Sequence, residues 1–549
     1  MSDYDIVIIG SGAGGGTMAY ALSRQKWRVL VLEAGPRFDP SKDFKLHSDA
    51  WEKQGFPHKA GSEGRHAFAA LQELDPELND LYSWNSVDGR LNRTPHRRPY
   101  KYNHVLGLGG STLAFTGESH RMHPESMQMR SRYGVAADWP MTYDALEPYY
   151  CEAERLVGVA GPSDPGARWR SEPYPLPAHP LGYASRRIAD GASALGIKWG
   201  PNARAALSQP YDGRPHCNYC SNCNRGCPRT DKGSVDVTFL RKAEASGHCT
   251  IRTGITVTRI EAGADDRVTG VHVVNSAGEN EFIATPKLIV SCGAVETPRL
   301  LLASANQHAP NGLANESGQV GLNFMETLAW TTSALHPENL GSFRGLPSDS
   351  ISWDFNAPDA IEGVVGGCRF TTGMSEAALN GPIAYAQRIV GGWGRSHRVA
   401  MREAFGRILS VGAIGESLPN RGSYIDLDPS EVDTNGIALA RIHSQLDDAD
   451  IKRLSFMRTT ARAILEEAGC NKVVEEYGSY DFFSSTHVFG TCRMGTDPET
   501  SVVDSFGKSF RWQNLHIMDA SIFPSSGGGE SPSLTIEALG LRAAAHMAT

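Results

Sequence analysis

Residues 5–15 read DIVIIGSGAGG, and this stretch, closed by the acid at Glu33, decides the fold. An apolar strand runs into the pattern Gly-x-Gly-x-x-Gly, a helix is predicted from Thr17 to Gln25, and a second strand from Val29 to Leu32. The first glycine of such a unit permits a tight turn, the second lets the backbone approach a pyrophosphate, and the third lets helix and strand pack closely. An acid about 20 residues later accepts from the ribose hydroxyls. The unit predicts adenine dinucleotide binding, against a glycine-rich turn in some other α/β domain. The residues concerned are Gly10, Gly12, Gly15 and Glu33.

Length and charge exclude several classes of protein. A chain of 549 residues predicts two or three domains. The net charge of -8 gives no electrostatic reason to bind nucleic acid or an anionic membrane. No apolar run reaches the length of a bilayer, and the N-terminus enters the first strand without a signal peptide, so the sequence predicts a cytoplasmic protein as encoded.

Further patterns extend the fold outward from the first turn. A second glycine-rich turn, VLGLGGST at residues 105–112, predicts a cofactor held at both ends, and residues 37–104 before it are interpreted as long loops with short helices. A β-meander is predicted from three strands, at 249–255, 257–262 and 268–275. The apolar run at 288–294 is typical of a strand buried on both faces of a parallel sheet.

Three stretches together resemble the glucose–methanol–choline (GMC) family of flavin oxidoreductases. They are the N-terminal fingerprint, GAVETPRLL at residues 293–301, and HVFGTCRMG at 487–495 with DASIFP at 519–524. They lie at both ends and in the middle, so the resemblance covers essentially the whole chain. The segments at 138–140 and 211–215 are similar to the bacterial FAD-dependent sugar dehydrogenase catalytic subunits.

The resemblance implies FAD and an α/β fold: a Rossmann-like FAD-binding domain with a parallel sheet and the meander, beside an antiparallel α+β substrate-binding domain. The expected FAD-binding domain is discontinuous, at 1–160, 234–326 and 484–549. Residues 161–233 form an irregular connection and 327–483 the substrate-binding domain.

Matching motif positions places the cofactor. The first turn and Glu33 would hold the ADP half, and the residues expected at the flavin are Gly109, Gly110 and Ser111. Asp519 and Ala520 would lie near the pyrophosphate and the ring. Relatives that bond FAD covalently carry a histidine where this chain has Ala114, so the resemblance implies non-covalent FAD.

The implied reaction is oxidation of a sugar or glycoside secondary alcohol to a ketone, or to a lactone at C1, with hydride passing to flavin N5. His487 matches the family's catalytic histidine, and an imidazole near neutral pKa suits a base, against a histidine that merely ties the loop. The second catalytic position falls on Ser531, where the family usually has His or Asn. The alternatives are that Glu530 rotates in, or that Ser531 caps the terminal helix.

A cysteine run has the spacing C-x2-C-x2-C-x3-C-P that is typical of ferredoxin-type clusters. It predicts a 3Fe-4S or 4Fe-4S cluster, against a zinc site or reduced structural thiols. A cluster would pass electrons singly to a cytochrome or quinone. The predicted ligands are Cys217, Cys220, Cys223 and Cys227.

The sequence therefore predicts an FAD-dependent dehydrogenase whose acceptor is not O2, with a possible small partner subunit. One alternative is an oxidase of the same family that makes H2O2. Another is a flavin or iron–sulfur electron carrier without its own alcohol substrate. Export with a signal-bearing partner to the periplasm is the alternative to the cytoplasm.

Overall fold

The structure is a computed structural model that describes residues 3–44, 69–70, 104–164, 166–373, 379, 381–382, 385–390, 392–479 and 487–548. Most of 37–104, interpreted above as loops, lies outside the described residues. The strands, in chain order, are β1 (Ile6–Ile9), β2 (Val29–Glu33), β3 (Ala69–Ala70), β4 (Ala160–Gly161), β5 (Leu176–Pro177), β6 (Gly200–Pro201), β7 (Cys249–Thr253), β8 (Ile255–Ala262), β9 (Val268–Asn275), β10 (Asn280–Ala284), β11 (Leu288–Val290), β12 (Met325–Glu326), β13 (Leu328–Leu335), β14 (Ser350–Ser352), β15 (Cys368–Thr372), β16 (Ile408–Gly415), β17 (Tyr424–Val432), β18 (Ala438–His443), β19 (Lys472–Gly478), β20 (Val488–Phe489) and β21 (Leu515–Ile517). The helices are α1 (Ala13–Arg24), α2 (Pro40–Asp43), α3 (Met129–Tyr133), α4 (Tyr143–Val157), α5 (Tyr183–Ala194), α6 (Arg241–Ala245), α7 (Gly293–Ala303), α8 (Gly394–Ala404), α9 (Asp448–Glu467) and α10 (Ser533–Met547).

A five-stranded parallel sheet carries the first glycine turn. Its order is β21-β11-β1-β2-β7, and every adjacent pair is parallel. All residues of β1, β2 and β11 are buried, as expected for strands covered on both faces. The sheet confirms the predicted α/β fold, and it brings the carboxyl ends of four segments that are distant in sequence to one edge.

The meander differs from the prediction by one strand. It consists of β8, β9 and β10, whereas β7 pairs in parallel with β2 and belongs to the first sheet. Gly254 separates β7 from β8 with a φ of +69°, a left-handed conformation that favours glycine and lets the chain change sheets. The alternation of apolar residues runs through both strands, so the sequence pattern did not mark this break.

A six-stranded antiparallel sheet, in the order β19-β13-β16-β15-β14-β6, forms the second layer. Helices α5 and α9 pack against it through a separate apolar cluster that includes Trp330, Phe370 and Met457. The side chain of Asp447 caps α9 by accepting from the N–H of Ala449. This layer is the antiparallel α+β part that the sequence predicts.

The hairpin β17–β18 packs on α7, next to the parallel sheet. Ile425 and Ile442 join Val295 in a small buried cluster, and Arg299 pairs with Asp433 at 2.7 Å. None of the helices in the described part of the chain is long and apolar enough to cross a membrane.

Candidate active site

A cavity of about 560 Å³ runs from the first glycine turn to the antiparallel sheet. Its walls come from the carboxyl edge of the parallel sheet, from the second glycine turn and from β13 and β16. In open parallel sheets, ligands bind outside the carboxyl ends of the strands, where the strand order reverses. Strand β1 occupies such a point, because its two neighbours are β2 and β11.

The first turn leaves space and hydrogen-bond donors for a ligand. Gly10 has a φ of +90°, and a Cβ there would lie 2.3 Å from the carbonyl oxygen of Ser291, so the turn requires glycine. Gly15 packs α1 on the turn, because its Cβ would lie 2.0 Å from the carbonyl oxygen of Gly10. A Cβ at Gly12 would meet no protein atom within 4 Å, and Gly12 lines the cavity. Helix α1 begins there without a side-chain cap, so its first N–H groups are available to an anion.

Ser11, which the sequence analysis missed, joins the two glycine turns. Its hydroxyl donates to Glu33 Oε2 at 2.5 Å and accepts from the N–H of Gly109 at 3.0 Å. The other oxygen of Glu33 accepts from the N–H of Gly35 at 2.8 Å. Glu33 is buried and lines the cavity, and burial raises its pKa. The two turns therefore form one wall.

Most of the remaining predicted cofactor residues line the same cavity. Gly110, Ser111 and Ala520 line the cavity, while Gly109 lies behind them at the turn. Asp519 also lines the cavity; its Oδ2 accepts from the N–H of Gly293 at 3.0 Å and from a threonine hydroxyl, so it fixes the start of α7.

These features fit FAD. The cradle at Gly12, the free N–H groups of α1 and the volume of the cavity suit a pyrophosphate with adenosine on one side and a ring on the other. Ala114 lines the cavity and offers no nucleophile, which suits a non-covalent flavin.

His487 lines the same cavity as the glycine turns and lies directly before β20. Its carbonyl oxygen accepts from the N–H of Thr327 at 3.1 Å, which fixes the backbone beside the antiparallel sheet. Burial, together with the charge of Arg369, lowers the pKa of His487 to about 4, while the carboxylate of Glu118 opposes the shift. The pKa of His487 is therefore below the near-neutral value that the sequence leads us to expect of a base, because burial disfavours the charged ring. The imidazole is neutral at neutral pH and able to accept a proton.

Ser531 also lines the cavity, and its polar groups are held by two residues near the second turn. Its hydroxyl donates to Glu118 Oε2 at 3.2 Å, and its N–H donates to Nδ1 of His120 at 3.1 Å. Burial lowers the pKa of His120 to about 3, so this imidazole is a neutral acceptor. Ser531 is thus placed on the cavity with a fixed backbone.

The two alternatives for this position find no support. Glu530 is fully buried, pairs with Arg168 at 2.6 Å and accepts from the N–H of His123 at 3.0 Å, so it is turned away from the cavity. The terminal helix α10 follows Pro532 as its capping residue, with no side-chain cap, so Ser531 does not cap it.

Glu118 and Arg369 form a buried ion pair on the cavity that sequence reasoning missed. Arg369 Nη2 donates to Glu118 Oε2 at 2.6 Å, and Asn202 donates to the other carboxylate oxygen at 2.9 Å. Although burial acts to raise it, the charges of Arg369 and of neighbouring cations lower the pKa of Glu118 to about 2. The carboxylate is therefore ionised beside His487.

The cysteine run does not form the predicted cluster site. The described residues contain no group of three or more His, Cys, Asp or Glu side chains placed to hold a metal ion. Cys217 and Cys223 are buried in an apolar cluster, whereas Cys220 is exposed. Cys227 donates to Asp231 at 3.4 Å.

Burial raises the pKa of all four thiols, that of Cys227 to about 11. A bound cluster would itself deprotonate its thiol ligands, so only the placement of the thiols bears on ligation. The prediction of a 3Fe-4S or 4Fe-4S cluster on Cys217, Cys220, Cys223 and Cys227 is therefore not supported, and these residues fit reduced structural thiols.

Comparisons with known proteins agree with this architecture. Two family models described as GMC oxidoreductase match residues 106–329 and 419–540, and a model of an NAD(P)-binding Rossmann-like domain matches 8–74. The chain is 29% identical to 2-methyl-1,2-propanediol dehydrogenase of Mycolicibacterium austroafricanum, over 98% of this chain and 94% of the relative. It is also 29% identical to the fructose dehydrogenase large subunit of Gluconobacter japonicus, over 98% and 97%. A solved structure of pyridoxine 4-oxidase from Mesorbium loti shares the fold, with a TM-score of 0.60, 18% identity and 99% of each chain covered.

Proposed function

Because the chain belongs to the GMC oxidoreductase family and is an FAD-dependent dehydrogenase acting on CH–OH donors, we propose that it oxidises a secondary alcohol of a sugar or glycoside to a ketone, or to a lactone at C1. The observation that carries the proposal is one cavity that joins the dinucleotide turn to His487. The similarity to a fructose dehydrogenase subunit and to a diol dehydrogenase supports a polyhydroxylated substrate.

His487 is the base in this proposal. An imidazole nitrogen takes the proton of the substrate hydroxyl, which the lowered pKa permits because the ring is neutral at neutral pH. FAD, when bound, supplies the acceptor for the hydride that leaves the carbon bearing this hydroxyl. The negative charge of Glu118 partly opposes the lowering of the His487 pKa, and it stabilises the imidazole once the ring is protonated.

Ser531 orients the substrate in this proposal. Its hydroxyl proton is directed to Glu118, so its oxygen lone pairs are left to accept from a second substrate hydroxyl, not from the one whose proton His487 takes. The second catalytic role thus falls to a residue that holds the alcohol and does not itself take the proton.

The acceptor that we propose is a cytochrome or quinone, reached with the help of a small partner subunit. The printed name of the fructose dehydrogenase relative, a large subunit, supports a partner. No electron path through the cysteine run is part of the proposal.

The test is anaerobic reduction of the bound flavin by a panel of sugars, glycosides and simple alcohols, followed by turnover with a dye and with O2. We expect a sugar or glycoside to bleach the flavin and a dye to sustain turnover. Peroxide formed in an amount equal to product would instead favour an oxidase. A flavin that no alcohol or sugar reduces would favour an electron carrier.

A further inference from the structure

Arg369 presents a buried donor that the protein leaves unused. It is the second residue of β15, lines the cavity and has no exposed surface. Its Nε donates to the carbonyl oxygen of Gly529 at 2.6 Å, and its Nη2 donates to Glu118 at 2.6 Å. Nη1 is buried and has no hydrogen-bond partner among the described residues.

Such an arrangement is typical of a ligand site. Most buried polar groups in proteins are hydrogen-bonded, so an unpaired guanidinium nitrogen calls for a partner that is not part of the chain. The Arg369 side chain is held at two of its three nitrogens, and a Cβ at Gly529 would lie 3.0 Å from its Cγ. The free arm therefore has a fixed position and is prepared to donate.

The neighbours of Arg369 place this donor at the reacting end of the cavity. His487, Ser531 and Glu118 line the same cavity, and Ser531 shares the carboxylate oxygen of Glu118 with Arg369. The charge of Arg369 also contributes to the lowered pKa of His487.

The charge balance favours a neutral ligand atom. Glu118 already pairs with Arg369, and both side chains are buried, so the pair needs no further anion. Arg204, which also acts on Glu118, donates to main-chain carbonyl oxygens and does not line the cavity.

We propose that Nη1 of Arg369 donates a hydrogen bond to a second oxygen of the substrate, on the carbon next to the one that is oxidised. The enzyme then selects vicinal diols, such as a sugar with adjacent hydroxyl groups, over alcohols with a single oxygen. This inference rests on the function proposed above, and it adds the feature of the substrate that the site recognises.

The experiment compares the sugar that reduces the flavin fastest with its monodeoxy analogues, and cyclohexanediol with cyclohexanol. A site built to bond an oxygen is left with an unpaired group when the oxygen is missing. We expect kcat/KM to fall by roughly 10²-fold or more for the analogue that lacks the hydroxyl next to the oxidised carbon.

Two variants of buried arginines sharpen the test. Arg369→Lys keeps a charge for Glu118 but has one nitrogen instead of a fork, so we expect the preference to shrink to about tenfold or less. Arg453→Lys is the matched control, because Arg453 is equally buried, bonds main-chain carbonyls and does not line the cavity. We expect it to keep the preference.

The outcomes are distinct. Equal kcat/KM for diol and monool in the unaltered enzyme would overturn the inference and leave the proposed function in place, even if Arg369→Lys fails to fold. An unchanged preference in a folded, FAD-bound Arg369→Lys would also overturn it. A preference for hydroxycarboxylates over neutral diols would overturn the neutral-oxygen assignment. No flavin reduction by any sugar or alcohol would overturn the proposed function and this inference together.

Discussion

At the scale of single residues, His487 carries the proposed chemistry. Replacing it in His487→Ala removes the proton acceptor at the end of the cavity but none of the residues at the glycine turns. We therefore expect FAD to stay bound while anaerobic flavin reduction slows by about 10²-fold or more, the usual effect of losing a general base. Rapid mixing with substrate measures the rate.

The matched control for this variant is His516→Ala. His516 is a buried histidine of β21 that does not line the cavity, and burial lowers its pKa to about 4, as it does for His487. We expect normal flavin reduction once FAD content is matched. Equal rates in His487→Ala and the control would remove His487 from the mechanism.

The pH dependence follows from the pKa of His487. Burial and Arg369 lower it to about 4, and the base must be unprotonated to act. The rate of flavin reduction should therefore stay level through mildly acidic pH and fall only as the pH approaches about 4. An acid limb centred near the ordinary value of 6.5 would show that the bound site does not desolvate the ring.

The sequence predicted His487 because its neighbours form a family motif, but it did not predict the residues around it. Glu118 and Arg369 are separated by 251 positions, and their pairing follows from the antiparallel sheet closing over the second turn. Neither residue stands in a spacing that signals chemistry. Buried pairs of this kind become visible only when the fold is known.

At the scale of elements, the first turn offers a prediction that separates folding from binding. A Cβ at Gly12 meets no protein atom within 4 Å but enters the cavity. Gly12→Ala should keep the fold and weaken FAD binding by about tenfold or more, the effect of one lost charge-assisted hydrogen bond of about 1.5–3 kcal/mol. Equilibrium titration of the apoprotein with FAD measures this.

Substitutions of two other glycines serve as controls for that result. Gly200 in β6 also has open space at its Cβ but lies away from the cavity, so Gly200→Ala should bind FAD normally. Gly10→Ala should fail to give folded protein, because of its φ of +90° and the 2.3 Å approach to Ser291. Normal FAD affinity in Gly12→Ala would contradict the location of the pyrophosphate.

The structure does not support the iron–sulfur cluster that the sequence predicts for the cysteine segment. Cys217 and Cys223 are buried in an apolar cluster, and Cys227 donates to Asp231, so the thiols do not converge on one point. Protein purified without air should therefore contain no iron or acid-labile sulfide in amounts comparable to flavin. Cys220→Ser, at the exposed thiol, should keep the rate of flavin reduction. Iron and sulfide in amounts equal to flavin would restore the cluster.

Elements were predicted well where the residue pattern is local. The buried strands β1 and β11 follow from apolar runs that end at glycine, whereas the antiparallel layer follows from the family resemblance. The sequence pattern places β7 in the meander, because strand periodicity does not specify the partner strand, which is set by the turn at Gly254. The cysteine spacing predicts a cluster that the structure does not support, for a related reason: spacing along the chain does not determine where each thiol points.

At the scale of the whole molecule, the proposed function requires that one cavity holds FAD and a sugar alcohol together, and that the alcohol reduces the flavin. The most direct measurement is an anaerobic titration of the FAD-bound enzyme with the best sugar or glycoside, in which reduced flavin and product are both quantified. We expect complete bleaching, and ketone or lactone in an amount equal to that of reduced flavin. A flavin that dithionite reduces but no sugar, glycoside or alcohol reduces would contradict it.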